Sequence, residues 1–173
     1  MLIDGERLDD EALSAPSVRS AGAVELRCVS ADPRMLVAES FAGVADALVN
    51  ARQSQKLAAE SLQTGKLDEA FNELQAALEV WDAVHRVTDH GPALLGVTLA
   101  HLGTTGQSLD ADLGRLSRTL AQVKEAVGGQ DWSTLADLLS HELDDAAERW
   151  GGLLSNLGTA ARSVPVPGAK GVA

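Results

Sequence analysis

The chain has 173 residues, 45% of them hydrophobic, and 25 acidic against 14 basic side chains give it a formal charge of −11. That surplus of negative charge repels phosphate backbones and anionic lipid surfaces, so neither nucleic acid nor a membrane is an expected partner. With two Phe, three Trp and no Tyr the core must be aliphatic, and the abundant Leu and Ala suit helices better than sheets.

Cys28 is the single cysteine, which excludes an intramolecular disulfide and fits a reducing compartment. The first six residues carry neither a cationic start nor a long apolar run, and no stretch approaches the roughly 20 apolar residues that cross a bilayer. A cytoplasmic protein is expected.

Residues 1–30 read as a small β-containing segment. Met1, Leu2 and Ile3 precede a turn at Asp4-Gly5, Asp9 and the residues up to Leu13 can form one helical turn before Pro16, and residues 24–29 alternate. Val24, Leu26 and Cys28 share one face there, and Glu25 and Arg27 the other, as in a half-buried strand. Strands this short are marginal alone, so they pack on the helical body or pair with another copy; a homodimer through this segment is the simplest form.

Residues 31–158 read as helical. Ser30 or Asp32 can cap a first helix over 33–62, and Pro33 suits its first position. Val37, Phe41, Val44, Leu48, Ala51, Gln55, Ala58 and Leu62 form its apolar seam, weak in the middle at Ala51 and Gln55, where either a thinner contact or a polar position that fixes register is expected. Gly65 ends it. A second helix carries Leu67, Phe71, Leu74, Leu78 and Trp81 toward His85 and Val87, with Asp68 and Glu69 complementing the dipole in its first turn. Asp89-His90-Gly91-Pro92 should stop it, the glycine supplying a left-handed cap.

A third seam, Leu95, Leu99, Leu102, Gly106, Leu109, Leu113, Leu116, Leu120, Val123 and Val127, keeps its register through Gly103-Thr104-Thr105-Gly106. One continuous helix over 95–127, about 50 Å long, is therefore expected. After Gly128-Gly129, Asp131 can cap a last helix with Trp132, Leu135, Leu139, Leu143, Ala146, Trp150, Leu153 and Leu157 inward. Pro165 and Pro167 forbid a regular helix, and residues 159–173 read as a flexible tail.

The two hairpins resemble each other at an offset of 65, with Leu62 meeting Val127, Leu74 meeting Leu139 and Leu78 meeting Leu143. The expected fold is mainly α, an antiparallel four-helix bundle of two long helical hairpins with a small N-terminal β element.

Chemistry-bearing patterns are sparse. Asp82, His85 and Asp89 share a helix face, and His141 with Glu142 and Asp145 offers a second group, so a metal-dependent bundle enzyme using His85, Asp82 and His141 is the catalytic alternative. Against it, no two histidines stand three or four apart, and the repeated Glu-x-x-His of di-metal bundles is missing. No nucleophile elbow, phosphate loop or dinucleotide fingerprint occurs, so no catalytic, metal or cofactor-binding residue is assigned and no cofactor is expected. Gly65-Lys66-Leu67-Asp68-Glu69-Ala70 looks like the middle of a tetratricopeptide repeat, but one copy cannot stack.

Ala59-Glu60-Ser61-Leu62-Gln63-Thr64-Gly65-Lys66, Ala70-Phe71, and Gln130-Asp131-Trp132 with Leu135-Ala136-Asp137-Leu138-Leu139 resemble the two hairpin turns of an uncharacterised bacterial helical family. Asp32-Pro33-Arg34 resembles its helix start. The resemblance implies a helical fold and no catalytic residue. In size, acidity and helicity the chain is also similar to flagellar and secretion export chaperones. The expected role is a non-enzymatic, chaperone-like protein–protein interaction or adaptor protein, working through helix-in-groove or strand-edge pairing with a protein partner.

Overall fold

The computed structural model describes residues 2–3, 6–7, 26–27, 32–102 and 109–165, which are mainly helical. The chain divides into two compact units, Met1–Asp32 and Pro33–Ala173. In the first, β1 (Leu2–Ile3) lies between β2 (Glu6–Arg7) and β3 (Leu26–Arg27), antiparallel to both; Leu2 stands opposite Arg7 on one side and Arg27 on the other. Val24, Cys28, Gly103, Gly106 and the tail from residue 166 fall outside the described residues.

The second unit is built on α1 (Pro33–Gln63), which packs against α2 (Leu67–Leu94) on one flank and α6 (Leu143–Ser163) on the other. Between α2 and α6 come α3 (Leu99–Leu102), α4 (Leu109–Gly128) and α5 (Trp132–Asp137), and a π-helical turn, Leu138–Glu142, joins α5 to α6. The three-residue connection after α1 makes α2 antiparallel to it. Two long-range contacts fix the direction of α6 in the same way: Arg52 meets Asp144, and fourteen residues back along α1, Ala38 meets Gly158.

Small residues let these helices approach closely. Gly91 of α2 leaves little room for a side chain, because a Cβ there would stand 3.3 Å from Cζ of Phe41, closer than most such contacts. Gly158 of α6 is equally tight, with a Cβ 3.2 Å from the Ala38 carbonyl oxygen and 3.4 Å from Cβ of Phe41. Phe41 is thus clamped from both sides and fully buried. Ala38, Ala45, Ala51, Ala58 and Ala59 on α1, with Ala70 and Ala77 on α2, extend the close approach.

The close fit of α1 and α2 explains where α2 ends. The helix does not stop at Asp89 but continues through Gly91 and Pro92, both buried, to Leu94. A proline in the last turn sacrifices a single helical hydrogen bond, and burial against α1 offsets that loss. The left-handed cap is therefore Gly96, at φ +67°, rather than Gly91; the amides of Gly96 and Val97 donate to the carbonyls of Ala93 and Pro92. Residues 95–98 consequently form a turn. The helix expected over 95–127 therefore does not begin at Leu95; of that span the described residues place α3 and α4 in helix, and the expected passage through 103–106 lies outside them. At the other end α6 runs past residue 158 to Ser163 and buries Ala161, so the first part of the expected tail is helix.

The two hairpin turns are alike bond for bond at the offset of 65. The amides of Thr64, Gly65 and Lys66 donate to the carbonyls of Glu60, Leu62 and Ser61, and those of Gly129, Gln130 and Asp131 donate to Glu125, Val127 and Ala126. Gly65 takes φ +75° in the first turn, while in the second Gln130 occupies the same place at φ +55°. Asp131 caps α5 by accepting from the Thr134 amide at 3.0 Å and its hydroxyl at 2.7 Å, and the amide bond in particular holds the Asp131 carboxyl below its ordinary value.

Two polar features lie in the α1 packing. Arg52 makes a two-pronged contact with Asp144, Nε to Oδ1 and Nη2 to Oδ2, both 2.8 Å, and Lys56 Nζ approaches Oδ1 at 3.7 Å. The Arg52 hydrogen bonds hold the Asp144 carboxyl below its usual value, against partial burial that pushes it up. Because the folded state binds this proton more weakly than the unfolded one, the contribution is complete above the ordinary carboxylate pKa of about 4 and is lost as pH falls through the lower folded value. Asp144→Asn should therefore flatten the fall in unfolding free energy below about pH 4; an unchanged acid limb in urea titrations contradicts this assignment.

Gln55 is 0% exposed, and neither its amide nitrogen nor its carbonyl oxygen has a hydrogen-bond partner. A buried amide without partners costs about 1–3 kcal/mol. Gln55→Leu, which installs the residue found at position 120 in the second hairpin, should raise the unfolding free energy by about 2 kcal/mol in urea titrations. A loss of stability would show that this amide is satisfied.

Candidate functional site

A helix that packs on one neighbour buries one stripe, and the stripe α2 buries is Ala70, Leu74, Ala77, Trp81, Val84 and Thr88. The larger seam residues expected from spacing, Phe71 and Leu78, are rotated off it and are 37% and 36% exposed, and Leu67 is exposed beside them. They form one wall of a groove with a cavity of about 520 Å³. The opposite wall comes from α4, whose Leu120, Val123, Lys124 and Val127 face Phe71, Leu74, Leu78, Trp81, Asp82 and His85 of α2 across it. The α2 and α4 backbones stand apart. At the hairpin end the Phe71 ring stands edge-on to Trp132, with centroids 5.6 Å apart and planes at 85°.

The internal resemblance explains why this seam is open. At the offset of 65, α2 corresponds to α5, the π turn and α6, and α4 corresponds to the end of α1. The groove between α2 and α4 is thus the counterpart of the closed contact between α6 and α1. In the closed contact, buried Ala59, Ala136 and Ala147 allow close approach. Their counterparts in the groove are Lys124, Phe71 and Asp82, an ammonium, a large ring and a carboxylate in place of three methyl groups.

The polar groups of the groove are few. Asp82 accepts from Arg86 Nε at 3.2 Å on the exposed side of α2. Lys124 has no carboxylate partner among the described residues. His85 lies in the lining, and the indole N–H of Trp81 is buried without an acceptor.

Asp82 and His85 therefore share the groove wall, whereas His141 sits exposed in the π turn, and Asp82, His85 and His141 do not form a three-ligand set. Among the described residues no group of three His, Cys, Asp or Glu side chains could hold a metal ion. Asp89 contacts His90 at 3.4 Å. The tetratricopeptide-like stretch around Gly65 is an ordinary hairpin turn.

Spacing alone missed the groove because Phe71 and Leu78 obey the seam rhythm as well as Leu74 and Trp81 do. The available signal was Ala70 and Ala77, seven apart beside that seam, since a stripe of alanines marks where another helix comes closest.

Residues 39–152 match the family model of a domain of unknown function, DUF8042. That span contains both hairpin turns and every groove residue. No curated protein and no solved structure matches the chain.

Proposed function

The chain belongs to the DUF8042 family, and we propose that it is a non-enzymatic protein–protein interaction module that seats an amphipathic helix of a partner protein in the α2–α4 groove. The two hairpins are read as halves of an antiparallel four-helix bundle with three closed seams and one left open. The observation that carries this reading is the cavity of about 520 Å³ lined on one side by Phe71, Leu74 and Leu78 and on the other by Leu120, Val123 and Val127.

A helix is the occupant favoured by backbone chemistry. Both walls are helices whose amides and carbonyls are engaged internally, so an extended segment lying between them would leave its own backbone groups unpaired. An incoming helix brings its hydrogen bonds with it and adds apolar knobs, as a helix does in any ridge-and-groove contact. From Phe71 to His85 the groove runs about 21 Å at 1.5 Å per residue, enough for four turns.

The alternative of pairing through the N-terminal β segment rests on β2 and β3, the edges of its sheet, each two residues long. Edges that short supply few backbone bonds, which favours the groove as the interaction surface. Among the described residues no helix is long and apolar enough to cross a membrane, so a partner in the aqueous phase suits the reading.

Placing a photoreactive side chain at position 78 of the intact chain tests the proposal. The expected result is cross-linking to one partner protein through a segment with apolar residues at i, i+3, i+4 and i+7, and loss of that product in Leu120→Lys. Cross-links confined to α4 of the same molecule would contradict it.

A further inference from the structure

The outer side of the α1–α2 hairpin carries a surface that lacks the acidity of the chain as a whole. On α1, Leu36, Ser40, Gly43, Ala47, Asn50, Ser54 and Leu57 recur at alternating steps of four and three residues. They lie on the side turned away from α6, which α1 meets through Ala38 and Arg52. The helix thus has a second seam in the rhythm of a packed face, yet Leu36 and Leu57 are 52% and 38% exposed. The turn over Thr64, Gly65 and Lys66 and the contact of Gly91 with Val37 and Phe41 set the register of α2 beside it. Leu94 falls next to Leu36, Val87 next to Gly43, Ala83 next to Ala47 and Val80 next to Asn50. Leu94 is 62% exposed, and this strip lies on the side of α2 opposite to the groove wall of Phe71, Leu78 and Asp82. The ionisable groups of the face are Glu73, beside Leu57, and His90, beside Ser40, while Glu39, Asp46 and Glu60 keep to a neighbouring ridge of α1.

We propose that a second copy of this chain covers the face, in a two-fold homodimer whose axis crosses the hairpin at Ala47 and Ala83. The order of side chains mirrors itself about that line. A half-turn there lays Leu36 on Leu57 of the second copy, Ser40 on its Ser54, Val87 near its Val80 and Gly43 opposite its Asn50, where the glycine makes room for the amide. It also brings Glu73 toward the end of the second copy that carries His90. Alanines meet at the axis, and small side chains there let the helices approach most closely. A self-mirroring pattern is what an isologous contact requires, since the same patch must fit itself. Charge points the same way: each copy carries −11, so copies meeting through acidic surface repel, whereas this face leaves the Glu39 and Asp46 ridge at the rim. From Leu36 to Leu57 the face is about 31 Å long and two helices, about 20 Å, wide. Two copies cover about 1,200 Å² in total, at the lower end of what specific dimers bury. Because α2 uses opposite sides for the two surfaces, dimerisation leaves the α2–α4 groove of each copy open.

Sedimentation of the intact chain over about 1–100 µM should show a monomer–dimer equilibrium. Raising the salt should shift it toward dimer, because screening removes the repulsion between two copies of charge −11. Ala47→Glu should keep its helical content and remain monomeric throughout the range. In a Cys28→Ser background, Ala47→Cys should oxidise to a disulfide-linked dimer, because the axis brings that position to its own copy. Gly43→Cys should not pair with itself, about 12 Å away along the helix, but should pair with Asn50→Cys on another chain. A monomer at every concentration overturns the proposal, as does a dimer that salt weakens. A dimer that survives Ala47→Glu also overturns it, and its loss in Leu120→Lys instead would place the contact in the groove. Self-pairing of Gly43→Cys as readily as its pairing with Asn50→Cys would contradict the axis and the dimer built on it.

Discussion

Phe41 held between two glycines is the contact on which the rest of the architecture depends. Gly91 and Gly158 come from helices far apart in sequence, yet Gly91 lies against the tip of the Phe41 ring and Gly158 against the Ala38 carbonyl and the Phe41 Cβ, so a side chain at either place would crowd α1. With both flanks of α1 closed in this way, the alanines along its length can bring backbones together and leave Leu48, Leu135, Leu139, Leu143, Trp150 and Leu154 in a dry interior. The reach of this clamp extends to local structure. It carries α2 past the proline expected to stop it and shifts the left-handed cap from Gly91 to Gly96.

The closed flank also gives the open one its meaning. Two hairpins with the same turn, hydrogen bond for hydrogen bond, would be expected to pack the same way against each other. They do not, because the positions that are alanine in one contact are lysine, phenylalanine and aspartate in the other. A difference of a few side chains, together with the π-helical turn at Leu138–Glu142 that α2 lacks, separates a core seam from an apolar groove. In the proposed reading such a groove serves recognition, since solvent-facing Phe71 and Leu78 gain nothing from water.

Much of the helical architecture was legible in the residues. The start of α1 at Pro33, the turns at Gly65 and Gly129, the Asp131 cap and the burial of Gln55 all follow from short-range chemistry and periodicity. The remainder depended on tertiary packing. Pro92 reads as a terminator until Phe41 supplies a reason to continue, and residues 95–98 fit a seam that the backbone interrupts. The groove was hidden for a different reason: a heptad pattern says that Phe71, Leu74, Leu78 and Trp81 share a broad apolar face, but not which half of that face meets a neighbour. Gln130 shows the same limit on a smaller scale, since a left-handed position next to two glycines falls to neither of them.

The central claim is that one of two equivalent seams is closed and the other open, and position 78 and its counterpart 143 report it directly. In a Cys28→Ser background, single cysteines at these two places report the difference, since Leu78 is 36% exposed and Leu143 0%. Maleimide labelling of the folded protein should be fast at position 78 and limited by unfolding at position 143. Equal protection at the two would mean that α2 and α4 close on each other as α6 and α1 do, leaving no groove for a partner to enter.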